Sequence, residues 1–152
     1  MNEPVAAIDI EKLIPHRLPM RLVESIASVD DTSIVSAAAV KDSWPTARDG
    51  RARTLILIEL IAQTAATLQG WLEQRENKAV IGGLLVGISA AKPQTASIPV
   101  GAQLVCSVRI SHGAQNYLAF EGQVADTGGV VWLTGSIQAY RPDNLATPGE
   151  SP

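Results

Sequence analysis

The sequence predicts an α+β fold in which an antiparallel β-sheet wraps around one long central helix. Three observations lead there. Only one stretch, Leu55 to about Gln74, is long and apolar enough to be a buried helix. Three runs beyond it alternate apolar and polar residues with a period of two, as strands with one buried face do. Two further strand-like runs precede it. A sheet packed around the helix satisfies all of these patterns at once.

The elements follow in order. Ile8 to Ile14 reads as a short helix broken by Pro15. Met20 to Val29 and Thr32 to Val40 read as strands, with Asp30-Asp31 as the hairpin turn. Lys41 to Arg53 is a polar loop punctuated by Pro45 and Gly50, and Thr54 is placed to cap the helix after it. The first half of that helix is apolar nearly all round, and Leu72 to Lys78 turns polar and should emerge into solvent. Ile56, Ile58 and Ile61 would also suit a strand. Ala79 to Ala91 is a strand with three glycines. The alternating runs are centred on Leu104 to Ile110, Leu118 to Val124 and Val131 to Ala139. His112 to Asn116 and Asp126 to Gly129 are turns between them. From Arg141 the chain is expected to fray. Residues 1–145 should make one domain, with 146–152 a disordered tail.

Composition narrows the function. The chain has 152 residues, 46% hydrophobic and 18% charged, enough for a real core. A net charge of −3 and a pI near 5.3 argue against general nucleic-acid binding. The lone Cys106 cannot form an intramolecular disulfide, and the N-terminus lacks a basic segment followed by an apolar one. A cytoplasmic protein is expected. Leu55 to Leu72 lacks Lys and Arg, but Glu59, Gln63 and Gln69 make a membrane span a poor reading.

Glu59 is the residue that points to chemistry. It stands in Thr54 to Gln63, a run otherwise almost wholly apolar. A lone ionised carboxylate is costly to bury, so such a group is normally paired, protonated or functional. A desolvated carboxyl is a plausible general acid or base. The bland alternative is a carboxylate satisfied by an arginine or by backbone donors near the helix start.

Five strings, in order, resemble the hotdog-fold 3-hydroxyacyl-ACP (acyl carrier protein) dehydratases of the thioesterase/dehydrase superfamily. They are Leu13 to Glu24, Ile58 to Gln63, Leu85 to Pro93, Pro99 to Leu104 and Phe120 to Val124. The resemblance covers about residues 8–140. Pro15-His16, Pro19-Met20, Glu59 to Thr64 and Gly70-Trp71 are similar to the dehydratase-like branch encoded with aryl-polyene clusters. The resemblance implies a dimer of hotdog subunits acting on acyl-ACP or acyl-CoA, with no metal and no cofactor. It implies dehydration of a 3-hydroxyacyl thioester to a 2-enoyl thioester. Glu59 matches the family's helix carboxylate, Gln63 could orient it, and Gly87 matches a glycine whose N–H can point at the thioester carbonyl.

The family histidine is missing. It belongs in the loop before the helix, and Lys41 to Arg53 contains none. His16 is a candidate replacement, with a satisfied structural residue beside Pro15 as the alternative. Asp42 and Asp49 are further loop candidates, set against solvated or capping roles. Arg48, Arg51 and Arg53 form either a solvated loop or a basic patch for a phosphopantetheine phosphate or an acidic carrier, with Arg53 as the substrate-binding candidate. His112 should be exposed and inert, and Cys106 a small buried hydrophobe. Trp44, Trp71 and Trp132 should be packing residues. Two other functions stay open: a non-catalytic subunit that completes a heterodimer with another hotdog chain, and a hotdog acyl thioesterase.

Overall fold

A computed structural model of the chain describes residues 4–80 and 83–141. Among these lie β1 (Ser25–Val29), β2 (Ser33–Ala39), β3 (Arg51–Arg53), α1 (Leu57–Arg75), β4 (Leu84–Pro93), β5 (Ser97–Pro99), β6 (Gln103–Ala114), β7 (Tyr117–Asp126) and β8 (Val131–Tyr140). Six strands form one antiparallel sheet in the order β1-β2-β6-β7-β8-β4, and β3 pairs with β5 apart from it. The helix α1 packs against β2, β6, β7 and β8. The expected plan, one long helix against an antiparallel sheet, is the observed one. Thr54–Arg75 is long and apolar enough to cross a membrane, but here it is the core helix.

Period-two burial builds the inner face of the sheet. Along β2, Ile34, Ser36 and Ala38 are buried while their neighbours are half-buried. The helix contributes Leu57, Leu60, Ile61 and Leu68, all fully buried, to a core shared with Leu104, Phe120 and Leu133. Ile61 makes the closest approach to the sheet. It sits over Gly122 and Gly135, which face each other across β7 and β8. A Cβ at Gly122 would stand 2.6 Å from Ile61 Cγ2, so only glycine admits the helix this close.

Several local expectations are corrected. Ile8 to Ile14 is not a helix, because only single 3-10 turns form, at Val5–Ala7 and Ile10–Lys12. Met20 to Glu24 does not belong to the first strand. The backbone N–H groups of Leu22 and Val23 are taken by a side chain instead of a ladder. The loop 41–53 holds β3, which continues from an Asp49-Gly50 turn with positive φ at both residues. That pair is a hairpin signal in its own right. Thr54 does not cap α1. Its hydroxyl meets Thr95 at 3.3 Å, and a 3-10 turn over Thr54–Ile56 leads into the helix. The strand expected from Ala79 begins at Leu84, and Gly82 lies outside the described residues. His112 is on β6 beside a register shift, not in a turn, and the turn is Gln115-Asn116. The tail beyond Arg141 also lies outside the described residues.

The Asp30 turn is as read. The Asp30 carboxylate accepts from the N–H groups of Thr32 and Ser33, both at 2.9 Å, and from both hydroxyls. These bonds, that to the Thr32 N–H first, hold its carboxyl below the usual carboxylate range.

Gly122→Ala should destabilise the protein by about 1–3 kcal/mol through overpacking against Ile61. In the Gly122→Ala background Ile61→Ala should cost less than it does alone, because it removes the γ carbons nearest the new Cβ. Urea titrations of the single and double variants measure both effects, and a neutral Gly122→Ala would refute the close-packing account.

Candidate active site

The N-terminal segment crosses α1 and is held at two points. The first is Gly70, where a Cβ would lie 2.8 Å from the Leu13 carbonyl oxygen. The second is Gln63, whose amide is 1% exposed and forms four hydrogen bonds. Its Oε1 accepts from the N–H of Leu22 at 2.8 Å and of Val23 at 3.4 Å. Its Nε2 donates to the Met20 carbonyl and to Glu59 Oε1, each at 2.9 Å. Between the two anchors Arg17 ties the segment to itself through the carbonyls of Glu11, Ile14 and His16. Arg21 pairs with Glu11 at 2.8 Å.

This clamping brings His16 to α1. His16 Nε2 lies 3.4 Å from Glu59 Oε1. The two side chains are 32% and 41% exposed, so Glu59 is not sealed in the core as an apolar run suggested. It stands in the first turn of α1, where the positive end of the helix dipole favours a carboxylate. Gln63, one turn on, fixes the orientation of its Oε1. Among the described residues no arginine pairs with Glu59. His16 Nδ1 is buried and has no hydrogen-bond partner among the described residues.

Both residues open into a cleft of about 190 Å³. Ala62, Ala65 and Ala66 of α1 form one wall, and Phe120, Ile137 and Ala139 of the sheet form the floor. Gly83 and Leu85 form the rim, and Gln69 lies at the end away from Glu59. The backbone at Gly83 is close to the Gln69 amide, since a Cβ there would be 3.3 Å from its Oε1. Farther along, β4 contacts the turn at Thr54–Ile56. So β4 runs antiparallel to α1 along the cleft, and Gly87 is carried toward the Glu59 end.

The remaining candidates fall elsewhere. Gly87 lies two residues beyond Leu85, outside the cleft walls, opposite Gln138 of β8. Arg53 is exposed on β3, and its N–H donates to the Thr46 hydroxyl. Arg51 is tied to Ser97 through Nε at 2.6 Å. Asp42, Asp49 and His112 are exposed and line no part of the cleft. Trp44 and Trp71 are buried packing residues, and Arg75 stacks on the Trp71 ring at 4.6 Å. Cys106 is fully buried, and that burial pushes its thiol up to about 12. Sequence reasoning missed Gln69, Gly83 and the floor residues. Gln69 was legible only as a polar residue on an otherwise apolar stretch of helix.

The family model described as ApeP dehydratase matches residues 8–149. The chain belongs to the ApeP-like dehydratase family. Among solved structures it is similar to a chain of the dehydratase heterocomplex ApeI:P from Xenorhabdus doucetiae, at 24% identity and a TM-score of 0.80, over 90% of this chain and 93% of that one. It is also similar to the E. coli PaaI protein from the phenylacetic acid degradation operon, at 10% identity and a TM-score of 0.60, over 76% of this chain and 81% of that one. A hypothetical thioesterase from Streptococcus pneumoniae, solved with coenzyme A, matches at 12% identity and a TM-score of 0.60, over 76% and 83% of the two chains. At such identities the likeness is one of fold, and the fold is the hotdog. No curated protein sequence matches the chain significantly.

Two outcomes test this geometry. Gln63→Leu strands the Met20 carbonyl and the N–H groups of Leu22 and Val23, and should cost about 2–4 kcal/mol in urea unfolding. Cys106 should resist thiol reagents at pH 8 until the protein unfolds. Its folded value lies above the ordinary thiol value of 9.0, so the stability it lends is complete below that pH and declines as pH rises toward about 12.

Proposed function

We propose that this chain takes part in dehydrating a 3-hydroxyacyl thioester to its 2-enoyl thioester, with Glu59 and His16 sharing the proton transfers. The observation that carries this reading is the 3.4 Å approach of His16 Nε2 to Glu59 Oε1 at the mouth of a largely apolar cleft. It supplies a histidine beside the helix carboxylate even though the loop before the helix has none. Membership of a dehydratase family supports the reaction class.

The proton count closes within the pair. One member takes the proton from the carbon next to the thioester carbonyl, and the electrons move onto the carbonyl oxygen. As they return, the carbon–oxygen bond to the 3-hydroxyl breaks, and the other member protonates the departing oxygen, which leaves as water. A proton passed between His16 and Glu59 then restores both. The Gly87 N–H is our donor to the carbonyl oxygen. It stands between two register shifts in β4, two residues beyond Leu85 at the cleft rim. Arg53 would hold the phosphate of a pantetheine arm or an acidic carrier outside the cleft.

The site calls for a second subunit. A cleft of about 190 Å³ is smaller than the roughly 300–1,000 Å³ usual for ligand sites. It runs beside β4, an edge strand of the sheet, where Leu85, Val86 and Ile88 are each about half exposed. A bare apolar edge strand invites pairing with another chain. The resemblance in fold to a chain of a dehydratase heterocomplex supports a second hotdog subunit at this edge.

A second reading follows from the histidine-free loop: the chain could complete the site of a partner that supplies its own catalytic histidine. The experiment is dehydration of 3-hydroxyacyl-ACP by the chain alone and with a neighbouring hotdog protein. His16→Gln and Glu59→Gln should each lower the rate about 10²–10⁴-fold with circular dichroism unchanged. Full activity of both variants in the complex would support the partner reading instead. Release of free acid without enoyl product would mark a thioesterase.

A further inference from the structure

The His16–Glu59 pair occupies one end of the cleft, and the other end is polar too. At the rise of an α-helix, Glu59 and Gln69 stand about 15 Å apart along its axis. Between them the surface is apolar, from Ala62 and Ala66 to Phe120 and Ile137. An alkyl tail needs nothing more than such a wall, yet the wall ends on an amide.

That amide has hydrogen-bonding capacity to spare. A glutamine offers two donor hydrogens and a carbonyl acceptor. Among the described residues Gln69 makes one long bond, from Nε2 to Glu73 Oε1 at 3.5 Å, and Glu73 has a closer partner in Arg141 at 3.0 Å. The close backbone at Gly83 limits where the amide can turn. A methyl group driven against it would strip water from an amide and replace none of the lost bonds. A hydroxyl would replace them.

We infer that Gln69 is a specificity-determining residue that recognises a hydrogen-bonding group at the distal end of the acyl chain. This rests on the acyl-thioester reading above. The cleft then measures its substrate from both ends, thioester at Glu59 and polar terminus at Gln69. Plain alkyl chains of the same length are discriminated against.

The test uses two 3-hydroxyacyl pantetheine thioesters of equal length, one ending in a methyl group and one in a primary alcohol. The protein is used in the assembly in which it purifies. The wild type should favour the alcohol-ended substrate by about tenfold or more in kcat/KM. Gln69→Leu should abolish or reverse that preference, and Gln69→Met serves as a second variant should the first fold poorly. A wild-type preference for the methyl end, or a ratio unchanged in both variants, overturns the inference. Should neither thioester be dehydrated, the reaction assigned above fails, and calorimetric binding of the corresponding amide analogues decides. A tenfold binding preference lost on substitution still supports Gln69 as the distal recognition residue. Equal binding, or none, overturns it.

Discussion

The candidate site depends on one buried amide. Gln63 lies inside α1, yet three of its four hydrogen bonds leave the helix for the segment 20–23. That segment is neither helix nor strand, so its backbone groups need partners from elsewhere. Gln63 supplies them and in the same act holds Glu59. One side chain thus closes the N-terminal segment over the helix and orients the carboxylate. Gly70 does the complementary work by letting Leu13 pass close to the helix axis. With both ends held, His16 has little freedom except beside Glu59.

The sheet sets the other side of the site. Ile61 presses α1 onto Gly122 and Gly135, and this close packing determines how deep the helix sits. Glu59 and Gln69 then lie on the flank that faces β4 instead of the core. A polar group there costs less than one under the sheet, because the flank is partly exposed to solvent. The six-stranded sheet ends at β4. On the proposed reading chemistry and assembly share a border, and a chain docked along that edge would also become a wall of the cleft.

Much of this was legible in the sequence. The helix was readable because its apolar run is long, and β6, β7 and β8 because alternation has only one structural meaning. Glu59 stood out by chemistry alone, and Gln63 by its one-turn spacing. Other parts were not legible. Met20 to Val23 has the composition of a strand, and nothing local says that a distant glutamine will take its backbone bonds. Thr54 has the right identity for a cap, but its hydroxyl turns to Thr95, forty-one residues away in sequence. The short β3–β5 ladder exists only because the chain ends of two loops meet, although Asp49-Gly50 marked its turn.

The sequence by itself determined the helix, the alternating strands, the family resemblance and the carboxylate, because each is written in residue types at fixed local spacing. Tertiary structure decided how exposed Glu59 is and which histidine stands beside it. His16 and Glu59 are forty-three positions apart, and the sequence offers His16 only as one of several stand-ins for the missing loop histidine. Their meeting comes from hydrogen bonds and packing between remote segments, made at Gln63 and Gly70. Spacing along the chain carries no record of such contacts, because they form only once the N-terminal segment has folded across the helix.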